Sequence, residues 1–287
     1  MNIEIVNTNL KSHLKLLRIQ NWRGYFLIAS LGFFLSRGFL FPVKDVTFFY
    51  LIILLFLSFG FSINDCFDTE EDKLDKDKEN IIVLKKISFK RGLVFSILLA
   101  VLGLILSTKF GLRVFLFCLA EVLLILFYSC PPLRLKSRPL LDLISHGLFA
   151  GALVFLIPVL IFSKDLLLFH YLIAFSIFYF FITLELRNHL EDYETDREAD
   201  LKTTVCFLGY EKSEKLLRRL GILYPFTLAP IFLLISWQYF LVFLALTLTF
   251  LFLVLFKKDY RIVSSYRVMD AYAHICFIFL IYYYLRI

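Results

Sequence analysis

The chain has 287 residues, of which 60% are hydrophobic and 35 are Phe; its mean hydropathy is +0.79 and its formal net charge +7. A soluble domain averages about half apolar residues, so this composition excludes an ordinary soluble fold and a disordered chain and points to a polytopic membrane protein. The basic balance is explained by the loops of such a protein lying against anionic lipid, and no basic patch makes a case for nucleic acid.

Residues 8–22 alternate basic and apolar side chains up to Trp22 and predict a short amphipathic helix at the membrane interface, with Arg18 and Asn21 able to face inward or to anchor in lipid. The first apolar run begins only after Trp22 and is too long for a cleaved leader, so it reads as the first anchor. Counting stretches that can cross a hydrocarbon core of about 30 Å predicts nine spans. They cover 23–42, 47–65, 92–109, 112–130, 140–163, 167–187, 219–236, 238–256 and 269–286, the seventh carrying Pro225 and Pro230.

Span 2 ends in Asn64-Asp65-Cys66-Phe67-Asp68-Thr69-Glu70-Glu71-Asp72. Asn64, Asp68 and Asp72 recur every four residues, which stacks oxygen ligands one helical turn apart on one face. Carboxylates stacked this way repel unless a cation lies between them, and a hard divalent ion such as Mg2+ takes such ligands together with phosphate oxygens. A mixed-charge loop, Lys73 to Asn80, and the run Ile81-Ile82-Val83-Leu84 follow. Span 4 contains Glu121 and leads into Tyr128-Ser129-Cys130-Pro131-Pro132-Leu133-Arg134-Leu135-Lys136, where the prolines end the helix and Arg134, Lys136 and Arg138 gather positive charge. Asp142 and His146 open span 5; like Glu121, they are expected to face a polar cavity or a partner.

Span 6 ends in Glu185-Leu186-Arg187-Asn188-His189 and runs into Asp192, Asp196 and Asp200, again four apart, followed by Leu201-Lys202-Thr203-Thr204. Of the 24 acids, 15 lie in the two windows 65–91 and 185–200, a concentration that scattered surface charge would not produce. Two facing columns could grip two or three Mg2+ ions and a diphosphate. Residues 210–220 predict another interfacial helix, and Asp270 with His274 forms an ionisable pair at the start of span 9. The five cysteines show no paired spacing and read as small apolar side chains. With nine spans and an inward N-terminus, 25 of the 31 Lys and Arg fall on the inner side and 6 outside, which places both acidic runs at the cytoplasmic face, as expected for a cell (inner) membrane protein. One domain, 1–287, is expected, with a loose internal repeat of about 1–130 and 131–287.

The pattern Asn64-Asp-x-x-Asp68-x-x-x-Asp72, the pattern Asp192-x-x-x-Asp196 followed by Leu-Lys-Thr, and the segment Tyr128-Ser-Cys-Pro-Pro-Leu-Arg-Leu-Lys136 resemble the UbiA superfamily of intramembrane prenyltransferases. The resemblance implies an all-α fold with nine helices ringing a cavity that opens at the cytoplasmic end. It also implies Mg2+-dependent transfer of a prenyl group from a prenyl diphosphate donor to a lipophilic acceptor. On this reading Asn64, Asp65, Asp68, Asp72, Asp192, Asp196 and Asp200 hold metal. Lys73, Arg134, Lys136 and Lys202 neutralise the diphosphate as its bond breaks, while Asn64, Tyr128 and Arg18 contact substrate. Members often carry Arg-Pro where this chain has Asn80-Ile81, and Gly where it has Asp200. A membrane terpene cyclase and a divalent-cation transporter are the alternative readings; the Asp-Gly-x-x-Ala-Arg signature of CDP-alcohol phosphotransferases is absent.

Overall fold

A computed structural model describes residues 11–36, 40–74, 79–163, 165–256 and 267–286. The long helices are α1 (Arg23–Leu35), α2 (Val43–Phe67), α3 (Phe89–Ser107), α4 (Leu112–Ser129), α5 (Leu141–Ser163), α6 (Leu168–Glu191), α7 (Tyr210–Ile235), α8 (Trp237–Phe256) and α9 (Arg267–Arg286). Among the described residues, α2 to α9 are eight helices long and apolar enough to cross a bilayer. The first predicted span departs from this: α1 has 13 residues, about 20 Å at the usual helical rise, and the expected continuation to 42 passes through 37–39, outside the described residues. Residues 210–220 differ as well. They form no separate surface helix but the first three turns of α7, which runs on through Pro225 and Pro230.

The packing gives two cores that share α1 and α5. Residues of α1, α2, α3, α4 and α5, such as Phe33, Phe56, Ala100, Val122 and Ile157, form one. Residues of α1, α5, α6, α7, α8 and α9, such as Leu31, Phe155, Ile177, Leu228, Phe250 and Cys276, form the other. Helix α9 packs back against α1 and closes the circuit. As the element common to both cores, α5 is the most enclosed helix, with 78% of its apolar window buried, whereas α3 and α8 have 22% buried and turn the rest outward. The α1–α5 contact is close because Gly32 has no side chain: a Cβ there would lie 2.4 Å from the Phe155 carbonyl oxygen. Within α5, residues Gly147–Ala152 adopt a π-helical turn directly after His146.

The connections at one end of the bundle are ordered pieces. Residues 11–16 are helical, and Leu16 is buried with Cys66, Ile81, Ile82 and Ile87. The N-terminal segment and the loop after the first acidic run therefore dock on each other at the foot of α2. The amphipathic pattern is helical over 11–16, where Leu16 is covered by protein and Leu14 stays half exposed, and residues 8–10 of the expected helix lie outside the described residues.

Candidate active site

Neither acidic column is one straight helix. Helix α2 ends at Phe67 with Asp68 as its C-cap, and a single turn, Glu71–Leu74, follows. Helix α6 ends at Glu191 with Asp192 as C-cap, and a short helix, Tyr193–Glu198, follows. Acids at a helix C-terminus oppose the macrodipole and repel one another, which favours a break at this point. The four-residue spacing survives in the backbone: the amides of Asp68, Asp72, Asp192 and Asp196 donate to the carbonyls of Asn64, Asp68, Asn188 and Asp192 at 2.8–2.9 Å.

The two turns meet. Glu71–Leu74 and Tyr193–Glu198 pack against each other with Cα atoms within 8 Å, so both runs occupy the same end of the bundle. Asp65, Asp68, Glu71, Asp72 and Asp196 are all buried there. Burying a carboxylate without a counter-charge is costly, and among the described residues three cations supply compensation. Arg18 reaches Asp65 at 2.7 Å and Asp72 at 3.9 Å. Lys136 donates to Asp68 and Arg134 to Glu71, with Arg134 also 4.0 Å from Asp68. Arg18 and Arg134 both adopt left-handed backbone conformations, φ 49° and 39°, which non-glycine residues rarely take; the ion pairs lie on the same residues that carry this strain.

Asn80 ties the loop down. Its amide nitrogen donates to the Asp72 carboxylate and to the Asp65 carbonyl, each at 2.8 Å, while its side-chain oxygen accepts from the Ile82 and Val83 amides. The residue that stands where relatives often carry Arg thus orients an acid of the first motif.

Several expected site residues lie elsewhere. Lys73 is exposed and pairs with Glu70 at 2.6 Å, because the turn Glu71–Leu74 buries its other face. Lys202 is exposed. Asp200 is exposed too, at φ 54°, and is the residue just past a short helix: its amide donates to the Arg197 carbonyl and that of Leu201 to the Asp196 carbonyl. That is the position where a helix end favours glycine, and it leaves the Asp200 side chain exposed, apart from the buried Asp196. Asp270 pairs with Arg187 at 3.4 Å between α6 and α9, and His274 contacts the Asp270 carbonyl.

A cavity with about 810 Å3 of empty space, its open mouth included, runs from this acidic end into the bundle. Asn64, Gly60 and Phe56, successive turns of α2, follow it for about 12 Å. Tyr25, Phe61 and Phe149 give it aromatic walls, and Arg18 and Asn188 stand at the motif end. Glu121 lines it at depth, with one buried carboxyl oxygen that has no hydrogen-bond partner. Tyr128 also lines it and donates its hydroxyl to Glu185, which accepts from Asn188 at 3.1 Å and lies 3.4 Å from His146 and 3.3 Å from His189. Asp142 links this cluster to the loop after the second run, lying 3.3 Å from a ring nitrogen of His189 and accepting from the Thr204 amide at 2.6 Å.

The oxygen-rich donor set fits a hard divalent cation. Among the described residues, the ion pairs named above join three cations to four of the buried carboxylates, and Glu71 keeps a buried carboxyl oxygen with no hydrogen-bond partner. As the side chains stand, no group of three or more His, Cys, Asp or Glu among the described residues is gathered as an ion cage, because Lys136, Arg134 and Arg18 hold the carboxylates.

The sequence profile of the UbiA prenyltransferase family matches residues 25–281, nearly the whole chain. The chain belongs to that family. Among the relatives of this UbiA-family protein, the digeranylgeranylglyceryl phosphate synthase of Sulfolobus acidocaldarius is 29% identical over 279 residues, covering 92% of this chain and 94% of its own length. A UbiA homologue from Archaeoglobus fulgidus, solved bound to DMAPP and Mg2+, superposes with a TM-score of 0.74 at 22% identity, over 96% of this chain and 98% of that one. A structure described as bearing on digeranylgeranylglyceryl phosphate synthase in membranes superposes with a TM-score of 0.76 at 19% identity, over 97% and 99%.

Within this UbiA-family chain, sequence reasoning missed Glu71, Asn80, Asn188 and His189. Glu71 was hidden inside an acidic run, and Asn80 inside an apparently solvated loop. The signal for the α6 pair was present in the spacing: Glu185, Asn188 and His189 lie three and four residues apart, on one face of a buried helix.

Proposed function

We propose that this protein transfers a prenyl group from a prenyl diphosphate to a hydroxyl of a glyceryl phosphate lipid, forming an ether and releasing diphosphate, with Mg2+ as cofactor. The observation that carries the reading is the junction of the two acidic turns over the mouth of an apolar, aromatic-walled cavity. The acceptor follows from the relatives, whose name describes a product with two geranylgeranyl groups on glyceryl phosphate. A donor of similar length is the natural first choice.

Asn64, Asp68, Asp72, Asp192 and Asp196 are the residues that would hold Mg2+. When bound, the ion supplies charge neutralisation and Lewis acidity at the diphosphate oxygens. Lys136 and Arg134 are already in place to move from carboxylate to diphosphate and to offset the charge that develops on the leaving group. Arg18 stands at the cavity mouth and can do the same. The cavity holds the isoprenoid chain and keeps water from the allylic centre, while the aromatic faces of Tyr25, Phe61 and Phe149 favour positive charge near them. Lys73, Lys202 and Asp200 have no part in this account. The excess of Lys and Arg on the loops at this end supports a cytoplasmic orientation of the mouth.

The test is a reconstitution. Purified protein in liposomes receives Mg2+, prenyl diphosphates of different length and a monoprenylated glyceryl phosphate, and the products are identified by mass. The reading expects a diprenylated ether that requires all three components. Cyclised hydrocarbons formed without acceptor would support the cyclase instead, and Mg2+ flux without diphosphate chemistry the transporter.

A further inference from the structure

The transfer uses the mouth of the cavity, and the floor carries an ionisable side chain that has no part in that chemistry. The inward stripe of α4, formed by Cys118, Glu121, Ile125 and Tyr128, is buried, and its last three members line the cavity. Glu121 precedes Tyr128 by two turns, which puts it about 10 Å further from the mouth. Gly60 on α2 lies level with Ile125, where a Cβ would stand 3.8 Å from that side chain. One turn deeper, Phe56 and Glu121 reach the same level. Beyond them, Ile52 and Ile53 on α2, Cys118 on α4 and Ile157 on α5 belong to the closed apolar core. The cavity therefore ends at Phe56, Leu57, Glu121 and Val154.

A carboxyl is out of character at the far end of an isoprenoid chamber. Ionisable groups at membrane depth are costly; Glu121 is 4% exposed, and its Oε2 is buried with no hydrogen-bond partner. Phe56, Leu57 and Val154, which share the floor, have no side-chain group to hydrogen-bond with it.

We propose that Glu121 sets donor length, holding down the use of prenyl chains that reach the floor relative to chains that stop above it. This deepens the transfer reading above and rests on it. With the diphosphate at the motif end, the distance from Tyr128 to Glu121 is comparable with a geranyl chain and short of a geranylgeranyl one. A short donor ends above the carboxyl and leaves it to water, which supplies hydrogen bonds. A longer donor lays hydrocarbon over the group, displaces that water and returns no hydrogen bond, which is the penalty of an unsatisfied buried polar group. A geranylgeranyl donor still binds through its diphosphate, but less well than it would over an apolar floor. The walls above do not discriminate in this way: Gly60, Phe61, Ile125, Phe149 and Ala150 are apolar, and contact with them favours every added carbon. Glu121 touches no reacting atom, so its role is specificity.

The experiment compares wild type, Glu121→Met and Glu121→Gln with geranyl and geranylgeranyl diphosphate in the liposome assay. Met and Gln match glutamate in shape and differ from each other in polarity, so the two variants separate hydrogen-bonding need from volume. Covering an unpartnered polar group shifts an equilibrium by about 5-fold or more. The kcat/KM ratio of geranylgeranyl to geranyl diphosphate should therefore rise by about 5-fold or more in E121M, through KM more than kcat. In E121Q, whose carboxamide needs partners as the carboxyl does, it should stay within about twofold of wild type. Thermal unfolding checks that each variant is folded; should E121M not be, Glu121→Ala removes the same carboxyl and takes its place. A ratio in E121M that falls or stays within twofold of wild type overturns the proposal. An equal rise in E121Q overturns it too, by placing the effect in charge. The same ratio, read as Kd for the unreactive thiolodiphosphate analogues of the two donors, tests the floor even where no ether forms. A wild-type protein that forms no ether product fails the transfer reading itself, a distinct result.

Discussion

Replacing Lys136 by Met removes the cation that compensates Asp68 and keeps most of the side-chain volume. Lys136 is 8% exposed and Asp68 7%, so the pair lies within the protein. Deleting one partner of a fully buried pair costs about 3–5 kcal/mol, because the other charge stays behind. Arg134, 4.0 Å from Asp68, offsets part of this, which leaves about 2 kcal/mol. At roughly 2–4 °C per kcal/mol for a large domain, the melting temperature of K136M in detergent should fall by about 4–8 °C. The assay is thermal unfolding of wild type, K136M, D68N and the double variant, each with and without Mg2+ and a prenyl diphosphate. The ion pair predicts strong coupling: K136M should cost much less in the D68N background. It also predicts that Mg2+ with diphosphate narrows the deficit, since the ion takes over the carboxylate that the lysine vacated. Equal losses in both backgrounds would refute the assignment of the cost to this pair.

Asp200→Gly should leave turnover within about twofold and stability within about 1 kcal/mol, since the left-handed position suits glycine; a large loss of Mg2+-dependent activity would return Asp200 to the metal site. Asn80→Ala removes the donor to the buried Asp72 carboxylate and should destabilise by about 1.5–3 kcal/mol, read as a lower melting temperature with reduced turnover. Lys73→Ala should change stability by less than about 0.5 kcal/mol and leave kcat within twofold, in contrast to K136M, because Lys73 is exposed and its partner among the described residues is the exposed Glu70.

Much of the architecture was legible because hydropathy over a span is a sum: α2, α4, α5, α6 and α9 fall within a few residues of their expected limits. The acidic runs were legible for the same kind of reason, being dense and regularly spaced. What the pattern could not supply was direction. Asp68 and Lys136 are 68 residues apart, and Tyr128 and Glu185 are 57 apart; such pairings depend on which helices adjoin, which hydropathy leaves open. Lys73 and Lys136 look alike in sequence, yet one is exposed and the other buried on an acid. Asp200 continues the four-residue spacing, but a helix end at the preceding residues turns it outward. α1 looked long because its apolar pattern continues past Leu35, where the described helix stops.

Mn2+ binding read by electron paramagnetic resonance reports whether the two acidic turns share one metal–diphosphate site. A non-hydrolysable prenyl diphosphate analogue should create a bound Mn2+ signal in the wild-type protein, and Asp68→Asn and Asp196→Asn should each abolish it while the protein remains folded. A signal of wild-type strength in either variant would contradict the account.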